Sequence, residues 1–237
     1  MYCIGVDVSA RRGHDVAVIR CPGEFVAMFK VHCARDVAGI CDEYLPACVA
    51  VDSPSGPATG LMRCDEYRAK LKPPPRRGTY LNCRVCEYEV RRRGLSIYFT
   101  PERGLRKWVL EGVKVFDELG GHGFGPAPEG REGGRCIVEY YPYASFCCLA
   151  GELIAPTTRS EGWTARKSLL SEHVEGVCFA ELSEDQLDAL VGAVTARAVV
   201  NGKAGCVGDP CEGTIWTPVP LLDRYTRGRR RVTNRGS

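Results

Sequence analysis

No run of about 18 to 20 uninterrupted apolar residues occurs in the chain, which argues against an ordinary membrane-spanning helix. Residues Met1 to Ser9 lack the basic-then-apolar order of a secretory signal, so a cytoplasmic protein with no membrane association is expected. Histidine is scarce: the four present, His14, His32, His122 and His173, share no metal-binding spacing. No Gly-x-Ser-x-Gly elbow occurs either, which argues against a hydrolase triad. The glycine-rich Gly121-His122-Gly123-Phe124-Gly125 follows no clear strand and lacks the Lys-Ser/Thr of a phosphate loop, so it reads as a loop and not as a nucleotide cradle. No internal repeat is present.

What remains is a chain of 237 residues, 44% of them apolar, enough to bury the core of one α/β domain. The net charge of +3 is uneven. The segment from Asp223 onward holds six arginines against one acid, +5, which leaves residues 1–222 at −2. The body therefore has no global basic field, and residues 223–237 are expected to be a disordered basic tail, with phosphate contact as its alternative use. Fourteen cysteines lie scattered through apolar runs. Cys3, Cys48, Cys136 and Cys178 read as small buried core residues. Cys83 and Cys86 form the one Cys-x-x-Cys, and a zinc site completed by Cys206 and Cys211, or disulfides, are the alternatives.

Tyr2 to Val8 is an apolar run of strand length that ends in a turn signal, with Asp7 near its C-terminal end. Asp15 to Arg20 and Glu24 to Val31, separated by Cys21-Pro22-Gly23, predict an antiparallel hairpin. Val37, Ile40, Cys41 and Tyr44 predict a helix over 34–44, closed by Pro46. Ala47 to Val51 then predicts a strand buried on both faces, and it delivers Asp52 at its end. Residues 53–134 are the least regular part and read as an insertion of short helices and loops. They include Pro73-Pro74-Pro75, Arg91-Arg92-Arg93 and a glycine-rich loop from Gly120 to Gly134. Strand character returns from Arg135 to Tyr140, with Glu139 as a third acid at a strand end. Ser183 and Gln186 make a capping box for a last helix that stops at Asn201-Gly202. Its apolar stripe is Leu187, Leu190, Val191, Val194 and Ala198. Asp188 lies on the shoulder of that stripe with Glu184, whereas Asp185 points further toward solvent.

Each acid alone has an ordinary explanation as a turn cap or a solvated flank. Together they carry more, because Asp7, Asp52 and Glu139 all close apolar strands, and ligands of parallel α/β sheets bind at the strands' carboxyl ends. Crowded carboxylates repel one another, so protons or divalent ions must offset their charge. All-oxygen ligands suit Mg²⁺ or Mn²⁺, and a pair of such ions hydrolyses phosphodiesters without a nucleophilic side chain.

These segments together resemble domain of unknown function family 429, whose members are commonly described as predicted nucleases of ribonuclease H fold. The resemblance covers most of the chain. It is carried by Gly5-Val-Asp7-Val, Val49-Ala-Val-Asp52-Ser-Pro54, Arg63-Cys-Asp65-Glu-Tyr-Arg68, Arg84-Val-Cys-Glu87 through Arg93-Gly94, Val138-Glu139-Tyr-Tyr-Pro142, Leu187-Asp188-Ala189 with Thr195-Ala196, and Glu212-Gly213-Thr-Ile215 before Pro218. It implies a single domain over 1–222, built on a ribonuclease H-like mixed five-stranded sheet flanked by helices and interrupted by the helical and loop insertion. It also implies Asp7, Asp52, Glu139 and Asp188 as the catalytic metal ligands. Arg63, Asp65 and Arg68 match a signature that suits phosphate binding, with a structural ion-pair network as the equal alternative. The family often has a lysine ahead of the segment Gly162 to Arg166. This chain has Thr157, Thr158 and Arg159 there, and Arg166 is the substrate contact retained. The expected activity is a Mg²⁺- or Mn²⁺-dependent nuclease acting on nucleic acid. The alternative is a non-catalytic nucleic-acid or nucleotide binder of the same fold.

Overall fold

The computed structural model describes residues 1–127 and 134–227. The first strand, β1 (Tyr2–Asp7), is followed by the hairpin of β2 (His14–Arg20) and β3 (Glu24–Val31). Helix α1 (Ala34–Glu43) crosses over to β4 (Ala47–Asp52). The insertion then supplies a short 3₁₀ turn (Leu61–Arg63), α2 (Asp65–Lys70), α3 (Val85–Arg92), α4 (Lys107–Gly121) and the two-residue β5 (Gly125–Pro126). After β6 (Arg135–Tyr140) come α5 (Pro142–Ala150), α6 (Ser160–Ser171) and α7 (Glu184–Val200), and the chain closes with β7 (Gly205–Asp209) and β8 (Gly213–Thr217).

All these strands form one eight-stranded mixed sheet in the order β3-β2-β1-β4-β6-β8-β7, with β5 also paired to β6. Strands β1, β4, β6 and β8 run parallel, while β2 and β7 run against their neighbours. Five strands are expected from the sequence. The additional three attach beyond β4: β5 pairs with β6 at Cys136 and Ile137, and β8 pairs with it at Glu139 and Tyr140. Glycine hides β7, since Gly205 and Gly208 are two of its five residues and break the strand pattern.

Side chains alternate across each strand, and each face of the sheet has its own helical layer. Cys3, Cys48, Ala50, Val138 and Tyr140 pack with α5, α6 and α7. Ile4, Val6, Val49, Val51 and Ile137 pack with Val37 and Cys41 of α1 and Val115 and Leu119 of α4. Burial on both faces is why β1 and β4 are continuous apolar runs. A third apolar cluster around Met62, Cys83, Val85 and Tyr88 gives the insertion its own small core, so residues 53–127 are more ordered than their composition suggests. The expected loop from Gly120 begins inside α4 and passes through β5, and residues 128–133 lie outside the described residues.

Helix α7 is capped as its sequence predicts: Ser183 Oγ accepts from the Gln186 N–H at 3.2 Å, and the Ser183 N–H donates to Gln186 Oε1 at 2.9 Å. The expected single apolar stripe is too narrow, because Ala189, Gly192, Ala193, Thr195 and Ala196 are buried as well. The helix is sunk against β1. A Cβ on Gly5 would lie 1.9 Å from the Ala189 carbonyl oxygen and 2.4 Å from the Ala193 nitrogen, and one on Gly192 would lie 2.5 Å from the Tyr140 ring. The absence of side chains at Gly5 and Gly192 sets how near α7 comes to the sheet, and so how near its acids come to Asp7.

Two expectations outside the core are corrected. Cys178 is exposed, unlike Cys3, Cys48 and Cys136, because it sits in the irregular segment between α6 and α7. Tyr225 is buried, and its N–H donates to the Arg93 carbonyl at 2.8 Å, so packing continues into the segment expected as a tail. The remainder of that segment, 228–237, lies outside the described residues. Among the described residues no helix is long and apolar enough to cross a membrane.

Candidate metal centre

Strand register builds the centre. Asp7 lies beside Asp52 on the parallel neighbour β4 and opposite Asp15 on the antiparallel neighbour β2. Paired positions project to the same face, so the three carboxylates form a row across three strands on the side of α7. Helix α7 adds Asp185 and Asp188 above the row. Carboxylate oxygens of Asp7, Asp15 and Asp185 all lie within 4.8 Å of one another, and this is the one group of three or more His, Cys, Asp or Glu among the described residues arranged to hold a metal ion. The four-cysteine zinc alternative is absent among those residues.

The charges in the row are poorly compensated. Asp15 accepts from Lys30 Nζ at 2.5 Å, and Asp185 from Arg12 at 3.1 Å. Asp7 has no such cation. Burial raises its pKa well above the carboxylate range, and Asp188, Asp185 and Asp15 raise it further, with Lys30 pulling the other way. Asp52 shifts in the same direction, again first through burial, then through Asp7, Asp188 and Glu139. Hydrogen bonding to Asp7 adds to the Asp52 shift, so this pair of neighbouring carboxyls favours holding a proton when no cation is there.

Asp188 accepts from Arg166 at 2.7 Å, and its pKa is pushed up to about 7 by burial against the opposing pull of that guanidinium. Arg166 is itself buried, stands over the Phe146 ring at 4.9 Å, and leaves its Nε without a partner. It therefore reaches the centre through Asp188. Glu139 is held differently. It lies opposite Val51, one position short of Asp52, and so projects from the other face of the sheet. Both its oxygens are taken by Arg84, at 2.8 and 2.5 Å, and one also accepts from the Ser55 N–H at 2.9 Å. Only at the strand ends do Glu139 and Asp52 meet again, lining one cleft of 320 Å³.

The structure does not bring Arg63, Asp65 and Arg68 to this centre. Arg63 is exposed and binds Glu102 and Asn82, both at 2.8 Å. Asp65 is exposed in the first turn of α2, and Arg68 is buried with its guanidinium on the carbonyls of Met62 and Arg76. None of the three lines either cleft at the acidic row. Three participants escaped the sequence reading. Asp15 faces Asp7 through the antiparallel register of β1 and β2, which is set by the turn over residues 8–13. Asp185 is turned inward because α7 is buried on nearly all sides. Arg84, the guanidinium that occupies Glu139, lies 55 residues away from it in sequence and carried no local signal.

A family model described as "Protein of unknown function (DUF429)" matches residues 5–212. The chain belongs to this family. No curated protein and no solved structure matches it. The span shared with DUF429 begins at Gly5, the contact point for α7, and ends at Glu212. The Glu212 carboxylate accepts from the backbone of Thr59, Leu61 and Val85. All five aspartates of the centre and the scaffold of the insertion thus fall within the DUF429 match.

Proposed function

We propose that this DUF429 chain is a divalent-metal-dependent phosphodiester hydrolase acting on nucleic acid, on a ribonuclease H-like fold. The observation that carries the reading is Asp7. It is a buried carboxylate with no cation of its own, shared between Asp52 on one side and Asp15 with Asp185 on the other. An all-oxygen set of this charge fits Mg²⁺ or Mn²⁺, and a carboxylate common to two groups suits a pair of ions. Asp7 and Asp52 are the principal ligands in this reading, with Asp185 and Asp188 completing the set. When bound, such ions activate water and offset charge on the leaving oxygen. Arg166 holds the Asp188 carboxylate in place, and Glu139, fixed by Arg84, walls the adjoining cleft. The central strands β3-β2-β1-β4-β6 support the ribonuclease H-like reading, since they make a mixed five-stranded unit within the larger sheet.

The second reading is a non-catalytic nucleic-acid binder. It is favoured by Arg84 on Glu139 and Arg166 on Asp188, which neutralise two acids without any metal. Incubation with single-stranded, duplex, hybrid and branched nucleic acids in Mg²⁺ or Mn²⁺ separates the two. The hydrolase predicts cleavage that falls about 100-fold or more in Asp7→Asn and Asp52→Asn. Cleavage unchanged in both variants overturns it.

A further inference from the structure

Two clefts meet at the acidic row. The smaller one, 320 Å³, has Asp52 and the paired Arg84, Glu87 and Glu139 in its lining, together with the rings of Tyr98, Trp108, Tyr140 and Tyr141. The open one, 660 Å³, holds Asp7 and Asp185 and is edged by Arg11, Arg12 and Lys107. Val8 and Trp108 line both, so the clefts adjoin next to the Asp7 end of β1.

The aromatic walls are built into the fold. Tyr98 and Trp108 pack edge to face at 5.5 Å, and the Arg106 guanidinium sits over the Tyr98 ring at 4.7 Å. Tyr141 is tied to the same segment by its hydroxyl, which donates to the Ser96 carbonyl at 2.6 Å. Yet Tyr98, Trp108 and Tyr141 all stay partly exposed, whereas rings that only fill a core, such as Phe146, are fully buried. Arg11, Arg106 and Lys107 are exposed, and no described carboxylate forms an ion pair with them. Flat apolar rings on one side of a carboxylate row and unpaired cations on the other match one substrate chemistry: a planar base joined to a phosphate chain.

We infer that the Tyr98–Trp108–Tyr141 cleft takes one unpaired nucleobase of a single-stranded nucleic acid, with the strand's phosphates passing the acidic row toward Arg11 and Lys107. The assignment deepens the hydrolase reading and rests on it for the position of the phosphate. A base inside a duplex is covered on both faces by its neighbours, so only a single strand or an extruded nucleotide presents a ring to the cleft. Stacking on protein rings tolerates any base, so the cleft selects strandedness more than sequence.

The test uses the full chain in Ca²⁺, with a short single strand carrying one 2-aminopurine, a strand of equal length made of abasic sugar-phosphate, and the matched blunt duplex. The expected result is quenching of the 2-aminopurine on binding, with the single strand held about tenfold tighter than the abasic strand or the duplex. Tyr98→Leu and Trp108→Leu, checked for unchanged unfolding midpoints, should each remove most of that preference and of the quenching. If Trp108→Leu fails to fold, Tyr98→Leu alone decides. Equal binding of the abasic strand, equal binding of the duplex, or full base dependence in folded leucine variants overturns the assignment. Base-dependent binding without Mg²⁺- or Mn²⁺-dependent cleavage supports the cleft and removes the hydrolase. Cleavage dependent on Asp7 with base-independent binding does the reverse.

Discussion

At the scale of single residues, Asp7, Asp52 and Asp188 hold protons where carboxylates normally do not. Asp188 ionises near its ordinary value of 3.8 in the unfolded chain and at about 7 in the folded one. Asp7 and Asp52 shift the same way. The folded state therefore binds more protons between those limits, and stability present below about pH 4 is lost as pH rises through about 7. Asp42 and Asp209, whose pKa values are lowered first by His122 and Tyr67 respectively, act in the opposite sense below that window, and His14 and His173, lowered first by burial, oppose the three carboxyls within it. In chelator, the urea midpoint should fall from pH 4 to pH 7 and recover at pH 7 when Mg²⁺ is added. Asp188→Asn should flatten the slope, and a wild-type midpoint that stays level or rises would contradict the assignment. Asp7→Asn should likewise raise the melting temperature in chelator while it removes cleavage, because it takes one charge out of a crowded buried row.

At the scale of elements, the decisive contact is α7 on β1. Gly5→Ala forces a methyl into the backbone of α7, and a cost of about 1–3 kcal/mol or more is expected from urea denaturation. Its signature is a loss of metal affinity larger than that of an equally destabilising change remote from the centre, since Asp185 and Asp188 move with the helix. Ser183→Ala removes the cap for about 1 kcal/mol and should leave metal affinity nearly unchanged. These elements show what could be read from the chain. The apolar runs, the Pro-Gly turn and the capping box are local, so β1 to β4, β6 and α7 were legible within a residue or two. The rotation of α7 was not, because a helical wheel assumes one buried face, and this helix is enclosed by α5 and α6 as well as the sheet. Asp185 was misplaced for that reason.

At the scale of the whole molecule, the insertion is fastened to the sheet by buried polar pairs. Arg84 is fully buried and joins Glu87 of its own helix to Glu139 of β6. The N–H of Thr100 also donates to Glu87, at 2.8 Å. Removing one member leaves a buried charge without its partner, so Arg84→Met should cost about 3–5 kcal/mol. Arg84→Lys should recover little, because one ammonium cannot reproduce a two-pronged contact. Pairing Arg84→Met with Glu139→Gln should restore part of the loss in a denaturation cycle, and no coupling between the two would contradict the description. Such long-range pairing is what sequence patterns do not carry. Strand ends pointed to Asp7, Asp52 and Glu139, but nothing local to Glu139 announces that Arg84 occupies it, or that Arg68 faces inward. The claim beneath all of this is that Asp7 is the shared ligand of bound divalent ions. A crystal soaked in Mn²⁺ tests it most directly. Anomalous density for two ions, each within about 2.5 Å of an Asp7 oxygen, is the predicted result. A well-ordered acidic row with no anomalous density at saturating Mn²⁺ would contradict it.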